Sequence, residues 1–88
     1  MMSEIPKKVG NKNVDAEIAR VGMIAELDAV NLYEQMAEMA TDRKLKKVLL
    51  DIAKEEKTHM GEFQAMLLKF DKEQVKELEE GKKEVEEM

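Results

Sequence analysis

Ile52-Ala53-Lys54-Glu55-Glu56-Lys57-Thr58-His59-Met60-Gly61-Glu62-Phe63 is the stretch that decides the fold. Its apolar residues Ile52, Ala53, Met60 and Phe63 recur at helical spacing and fall on one face. The same row runs back through Leu45, Val48 and Leu49, and forward through Met66, Leu67 and Phe70. Two ionisable residues interrupt it. Glu56 lies four after Ile52 and four before Met60, and His59 lies three after Glu56 and four before Phe63. Both stand on the apolar face, where an uncompensated carboxylate is costly to bury.

Upstream of this helix, Thr41-Asp42 is a turn and cap signal. Before it no proline appears back to Asn13 and Asp15, either of which can cap a first helix with Glu17 in its first turn. That helix lines up Ala19, Gly22, Met23, Ala29, Val30, Tyr33, Met36, Ala37 and Ala40. Many of these are small, which lets a neighbouring helix come close. One carboxylate breaks the row: Glu26, four after Gly22, four before Val30 and seven before Tyr33. The short turn makes the two helices antiparallel neighbours.

Downstream, Asp71 can cap a third stretch whose stripe is thin: Val75, Leu78, Val85 and Met88, interrupted by Gly81. At the other end Pro6 and Gly10 break any helix, so residues 1–13 read as a flexible tail. The expected helices cover about 14–40, 42–70 and 72–88, in one domain over residues 14–88. The fold class is all-α: an antiparallel two-helix hairpin plus a short C-terminal helix. A hairpin leaves much apolar surface uncovered, and a small chain needs a partner to complete its core. Homodimerisation into a four-helix bundle is therefore expected.

Composition narrows the function. The chain has 88 residues, 40 % of them charged, and a formal net charge of −5. Such a composition suits long solvated helices. No basic stripe offers itself to nucleic acid, and an acidic chain is a poor partner for anionic membranes. The start lacks the apolar core of a signal peptide, and no apolar run reaches spanning length. A soluble, cytoplasmic chain is the expectation. There is no cysteine, so neither a disulfide framework nor a thiolate metal site is available.

Glu56 and His59, at i and i+3, lie side by side and are oxygen and nitrogen ligands suited to iron, manganese or zinc. A ferritin-like di-iron site takes a Glu from each of two helices and a Glu-x-x-His from each of two others. With Glu26, this chain supplies half that set, and a two-fold dimer supplies the rest. Each element has an ordinary reading as well. Glu-x-x-His arises by chance in Glu-rich helices, and a lone histidine is more often hydrogen-bonded than metal-bound. Tyr33 is either near the metals or a buried phenol with one hydrogen bond. Glu55 and Glu62 read as solvated surface, Glu62 being the better accessory ligand or partner for His59. The methionines read as core filler. It is the joint placement of Glu26, Glu56 and His59 that points to a metal.

Ile24-Ala25-Glu26-Leu27-Asp28-Ala29-Val30-Asn31-Leu32-Tyr33, followed by Glu55-Glu56-Lys57-Thr58-His59, resembles the encapsulated ferritins of encapsulin nanocompartments. The resemblance covers residues 15 to 70 and keeps the order and separation of both motifs. It implies a ferroxidase centre at the interface of two chains, with two irons per dimer. Its ligands here are Glu26, Glu56 and His59, with Tyr33 a weak or neighbouring ligand. It further implies an annular decamer within an encapsulin shell that stores the mineral, rather than a closed cage. Three departures stand out. Leu32 replaces a frequent tryptophan, and Ala25 lacks an acid that some members place beside Glu26, though Asp28 keeps another. The end, Glu86-Glu87-Met88, resembles no shell-targeting peptide, as expected of a domain from a shell fusion. Two other readings stay open: a metal-free helical assembly module, whose core polar groups set register, and a rubrerythrin-like peroxide reductase. No cysteine in the chain supplies the rubredoxin-type centre that the latter couples to.

Overall fold

The computed structural model describes residues 13–88. The expected tail over residues 1–13 therefore lies, apart from Asn13, outside the described residues. Three helices follow in order: α1 (Val14–Met39), α2 (Arg43–Phe70) and α3 (Lys72–Glu86), with no strand among the described residues. The protein is all-α, α1 and α2 forming the antiparallel hairpin and α3 the short C-terminal helix.

Local chemistry sets the ends. Asn13 holds the cap position of α1 through its carbonyl, which accepts the Glu17 N–H at 3.0 Å, while its side chain makes no cap hydrogen bond. Asp15 and Glu17 in the first turn complement the helix dipole. The helix stops at Met39, one residue short of the expected Ala40, because Ala40 is extended at φ −66° and ψ 139°. Asp42 caps α2 by accepting the Leu45 N–H at 2.8 Å. The connection from α2 to α3 is one residue, Asp71. Its N–H donates to the Leu67 carbonyl at 2.8 Å, and its carboxylate accepts the Gln74 N–H at 3.0 Å. Gly81 does not interrupt α3, which runs through it and ends at Glu86 rather than Met88. One exposed glycine costs a helix only about 1 kcal/mol relative to alanine, and flanking Glu and Lys are good helix formers.

The hairpin core is thin. Its buried apolar residues are Ala16, Ala19, Val30 and Ala37 from α1, with Leu49, Ala53 and Leu67 from α2. Four of the seven are alanine, so the helices approach closely but bury little side-chain area. Gly22 marks the tightest point: a Cβ there would lie 2.6 Å from two ring carbons of Phe63. Among the described residues thirteen large apolar side chains stay exposed, including Ile18, Leu45, Val48, Met66 and Phe70 on the hairpin and Val75, Leu78 and Val85 on α3. The described residues thus leave more large apolar side chains outside than they bury, as a half-bundle must.

α3 buries no residue and comes near α2 only around their one-residue junction. The molecule measures 47 × 40 × 19 Å. A helix pair with side chains is roughly 20 Å across, so the 40 Å dimension requires α3 to project from the hairpin. Among the described residues no helix is long and apolar enough to cross a membrane.

Candidate metal centre

Glu26 sits in the middle of α1, and Glu56 and His59 sit in the middle of α2. The antiparallel hairpin puts these midpoints in one layer. The i, i+3 spacing then brings Glu56 and His59 onto the face that meets Glu26. One donor atom from each of the three residues lies within 4.8 Å of the other two. His59 Nδ1 stands 2.9 Å from Glu26 Oε2 and 3.8 Å from Glu56 Oε1. Two ligands of one ion with bonds of about 2.1 Å can be at most ~4.2 Å apart. Both separations fall inside that limit.

Burial is graded across the site. The two glutamate side chains are each 17 % exposed, and His59 is 48 % exposed. The carboxylates thus line the hairpin seam, while the imidazole closes the site on the open face. Glu26 Oε2 is a buried oxygen with no hydrogen-bond partner among the described residues. His59 Nδ1 is near enough for one, but proximity without an aligned N–H is not a hydrogen bond. A cation between the donors would give that oxygen a direct partner.

The carboxylates also perturb each other. A hydrogen bond with Glu26 holds the Glu56 carboxyl above its ordinary range. Partial burial and the negative charge of Glu26 push the same way, and His59 opposes them. Two carboxylates in one site resist joint ionisation unless a cation joins them.

The other sequence candidates lie further out. Tyr33 is half-buried two turns beyond Glu26, and no hydrogen bond ties its phenol to the three donors. Glu55, Glu62 and Asp28 are exposed, and His59 reaches Glu26 and Glu56 but not Glu62. Lys57, inside the Glu-x-x-His motif, turns outward to Glu34 at 3.4 Å. That exposed pair adds about 0–1 kcal/mol and keeps the lysine out of the site.

Sequence reasoning missed two contacts. The Arg20 guanidinium donates to the Asp71 carboxylate at 2.7 Å, across 51 positions. With the Gln74 N–H, it holds the Asp71 carboxyl below its ordinary range. No spacing rule links residues so far apart. The seat of Phe63 on Gly22 was half visible. Both residues lay on the expected stripes, but which large side chain meets which small one depends on the register between helices.

A family model described as EncFtn-like matches residues 1–86. The chain belongs to the EncFtn-like family. The EncFtn-like chain is 58 % identical over 72 residues to the ferritin-like-encapsulin shell fusion protein of Pyrococcus furiosus. That alignment takes in 82 % of this chain and 21 % of the relative, so the chain spans about a fifth of that protein's length. Its structure is similar to the crystal structure of the encapsulated ferritin domain from Pyrococcus furiosus. The TM-score is 0.87 at 53 % identity, covering 94 % of this chain and 85 % of the other. The resemblance read from the two motifs is therefore correct at the level of family and fold.

Proposed function

We propose that two copies of this chain pair across the open hairpin face and oxidise Fe(II) to Fe(III) with dioxygen at a di-iron site they share. The observation that carries this reading is the donor cluster: Glu26, Glu56 and His59 each place one donor atom within 4.8 Å of the other two, with Glu26 Oε2 buried and 2.9 Å from His59 Nδ1. Three donors are too few to hold two ions, but six from a two-fold pair suffice. The exposed apolar residues of the hairpin supply the surface for pairing.

In this mechanism Fe(II) is the substrate. Glu26 and Glu56 would offer oxygen ligands, some of them bridging, and His59 would offer one nitrogen per chain. Bridging carboxylates offset the repulsion between the cations and keep them close enough to give two electrons to one dioxygen. A carboxylate set prefers the harder Fe(III) product, which favours oxidation. Glu56 releases any proton it holds when it binds metal, so uptake is coupled to proton release.

The domain assignment belongs to the same proposal: residues 14–88 as the ferritin-like unit, preceded by a flexible tail over residues 1–13. So do the larger assembly and its place. Dimers assemble into an annular decamer associated with an encapsulin shell protein, in the interior of a cytoplasmic compartment. The relative that is itself a fusion of ferritin-like and shell parts supports that association. A metal-free assembly module, by contrast, predicts no metal dependence and tolerance of His59 substitution.

Stopped-flow mixing of Fe(II)-loaded protein with oxygen tests the activity. The wild type should show a fast oxidation phase that Glu56→Ala abolishes. An unchanged fast phase in Glu56→Ala would overturn the assignment.

A further inference from the structure

One turn from the donor cluster the two helices are locked by a contact that is not a ligand. Gly22 precedes Glu26 by four residues on α1, and Phe63 follows His59 by four residues on α2. In an antiparallel hairpin these two positions form the layer next to Glu26 and His59. The Phe63 ring lies flat on the Gly22 backbone. A Cβ on residue 22 would stand 2.6 Å from Cδ1, 2.6 Å from Cε1 and 2.8 Å from Cγ of that ring. Carbon atoms in good contact are about 3.5–4.0 Å apart, so a methyl group there demands a displacement of roughly 1 Å. Turning the ring about its own axis gives no relief, because Cγ lies on that axis. Either the helices separate, or the ring leaves its seat for the groove of about 250 Å³ that it lines with Ile18, Ala19, Met66 and Phe70.

We infer that Phe63, seated on Gly22, is a positioning residue that sets the separation of α1 and α2 at the metal site and thereby the approach of Glu26 to His59. This rests on reading Glu26, Glu56 and His59 as the metal ligands. The magnitudes make the link tight. Metal–ligand distances hold to within about 0.2 Å, and a site about 1 Å too loose loses its function. A 1 Å opening at the Gly22 layer is carried by rigid helices to the neighbouring layer, where the donors now stand 2.9 Å apart. Phe63 touches no metal. Its effect on the site is that of a wedge of fixed thickness.

The test uses Co(II) alone as the probe, titrated anaerobically into the full chain and followed by its d–d absorption. Wild type, Gly22→Ala, Phe63→Leu and the double variant Gly22→Ala/Phe63→Leu are compared, with helicity of each metal-free protein as control. Leucine gives up about the space that the new methyl needs, so the double variant conserves volume. Gly22→Ala and Phe63→Leu should each bind Co(II) roughly 10–100-fold more weakly and shift the d–d band. The double variant should return most of the way to wild type in both readouts. A residue that only stabilised the fold would lower affinity without moving the band. Should Gly22→Ala fail to fold, Phe63→Leu against the double variant carries the same comparison. Single variants with wild-type affinity and band, while the wild type binds, would overturn the positioning role and leave the ligand assignment standing. A wild type that binds no Co(II) would overturn both.

Discussion

The hairpin and α3 are built from the same residue types, yet they differ in what their polar groups do. In the hairpin, three ionisable side chains interrupt apolar stripes and converge within 4.8 Å. In α3 the charged residues lie on an exposed helix that buries nothing. At the head of α3, the Asp71 carboxylate accepts from Arg20 and the Gln74 N–H, and the Asp71 N–H donates to the Leu67 carbonyl. Glu26 Oε2 has no aligned hydrogen bond and instead faces His59 Nδ1 at 2.9 Å, beside the Glu56 carboxyl. One carboxylate ties a joint together, and the other sits in a cluster of donors that could share a cation.

Mutations can break or sharpen this contrast. The largest effect belongs to the hairpin core. Leu67 packs on Ala16 and Ala19, and Leu67→Ala should cost about 2–5 kcal/mol, read from chemical denaturation. Asp42→Ala removes the α2 cap and should cost about 1 kcal/mol, read the same way.

Glu56→Gln should act with opposite signs on the two states of the site. The Glu56 carboxyl is raised in the fold, so folding favours its neutral form relative to the unfolded chain. Its contribution is present in full below the ordinary glutamate range and fades as pH rises through the raised value. The metal-free Gln variant should therefore gain stability near neutral pH and lose that part of the pH dependence, while binding metal more weakly. Asp71 has the reverse sign. Its carboxyl is lowered, so its contribution is present above the ordinary aspartate range and is lost as pH falls through the lowered value. Asp71→Asn should flatten that acid limb in a thermal melt followed across pH. The smallest effect belongs to α3. Leu78 is 42 % exposed, and Leu78→Ala should change the stability of the isolated chain by no more than about 0.5 kcal/mol.

Much of this was legible in the sequence, for reasons that differ from element to element. Asp42 and Asp71 announce their helices because a cap acts within three residues. Glu26, Glu56 and His59 are visible because each offends against a stripe that a period of 3.6 makes plain. The Arg20–Asp71 tie and the seat of Phe63 on Gly22 were hidden, because they depend on how two helices slide past each other. The third helix, expected over 72–88, runs from Lys72 to Glu86, continuous through Gly81, and its thin apolar stripe matches a helix that buries no residue.

The central claim is that each chain holds half of a two-iron site. Anaerobic titration of Fe(II) into the purified chain, followed by admission of oxygen, tests it most directly. The account predicts saturation at about one tightly bound iron per chain, since two chains share a pair, and rapid oxygen uptake at that loading. Absence of saturable binding in a chain shown to be oligomeric would contradict it.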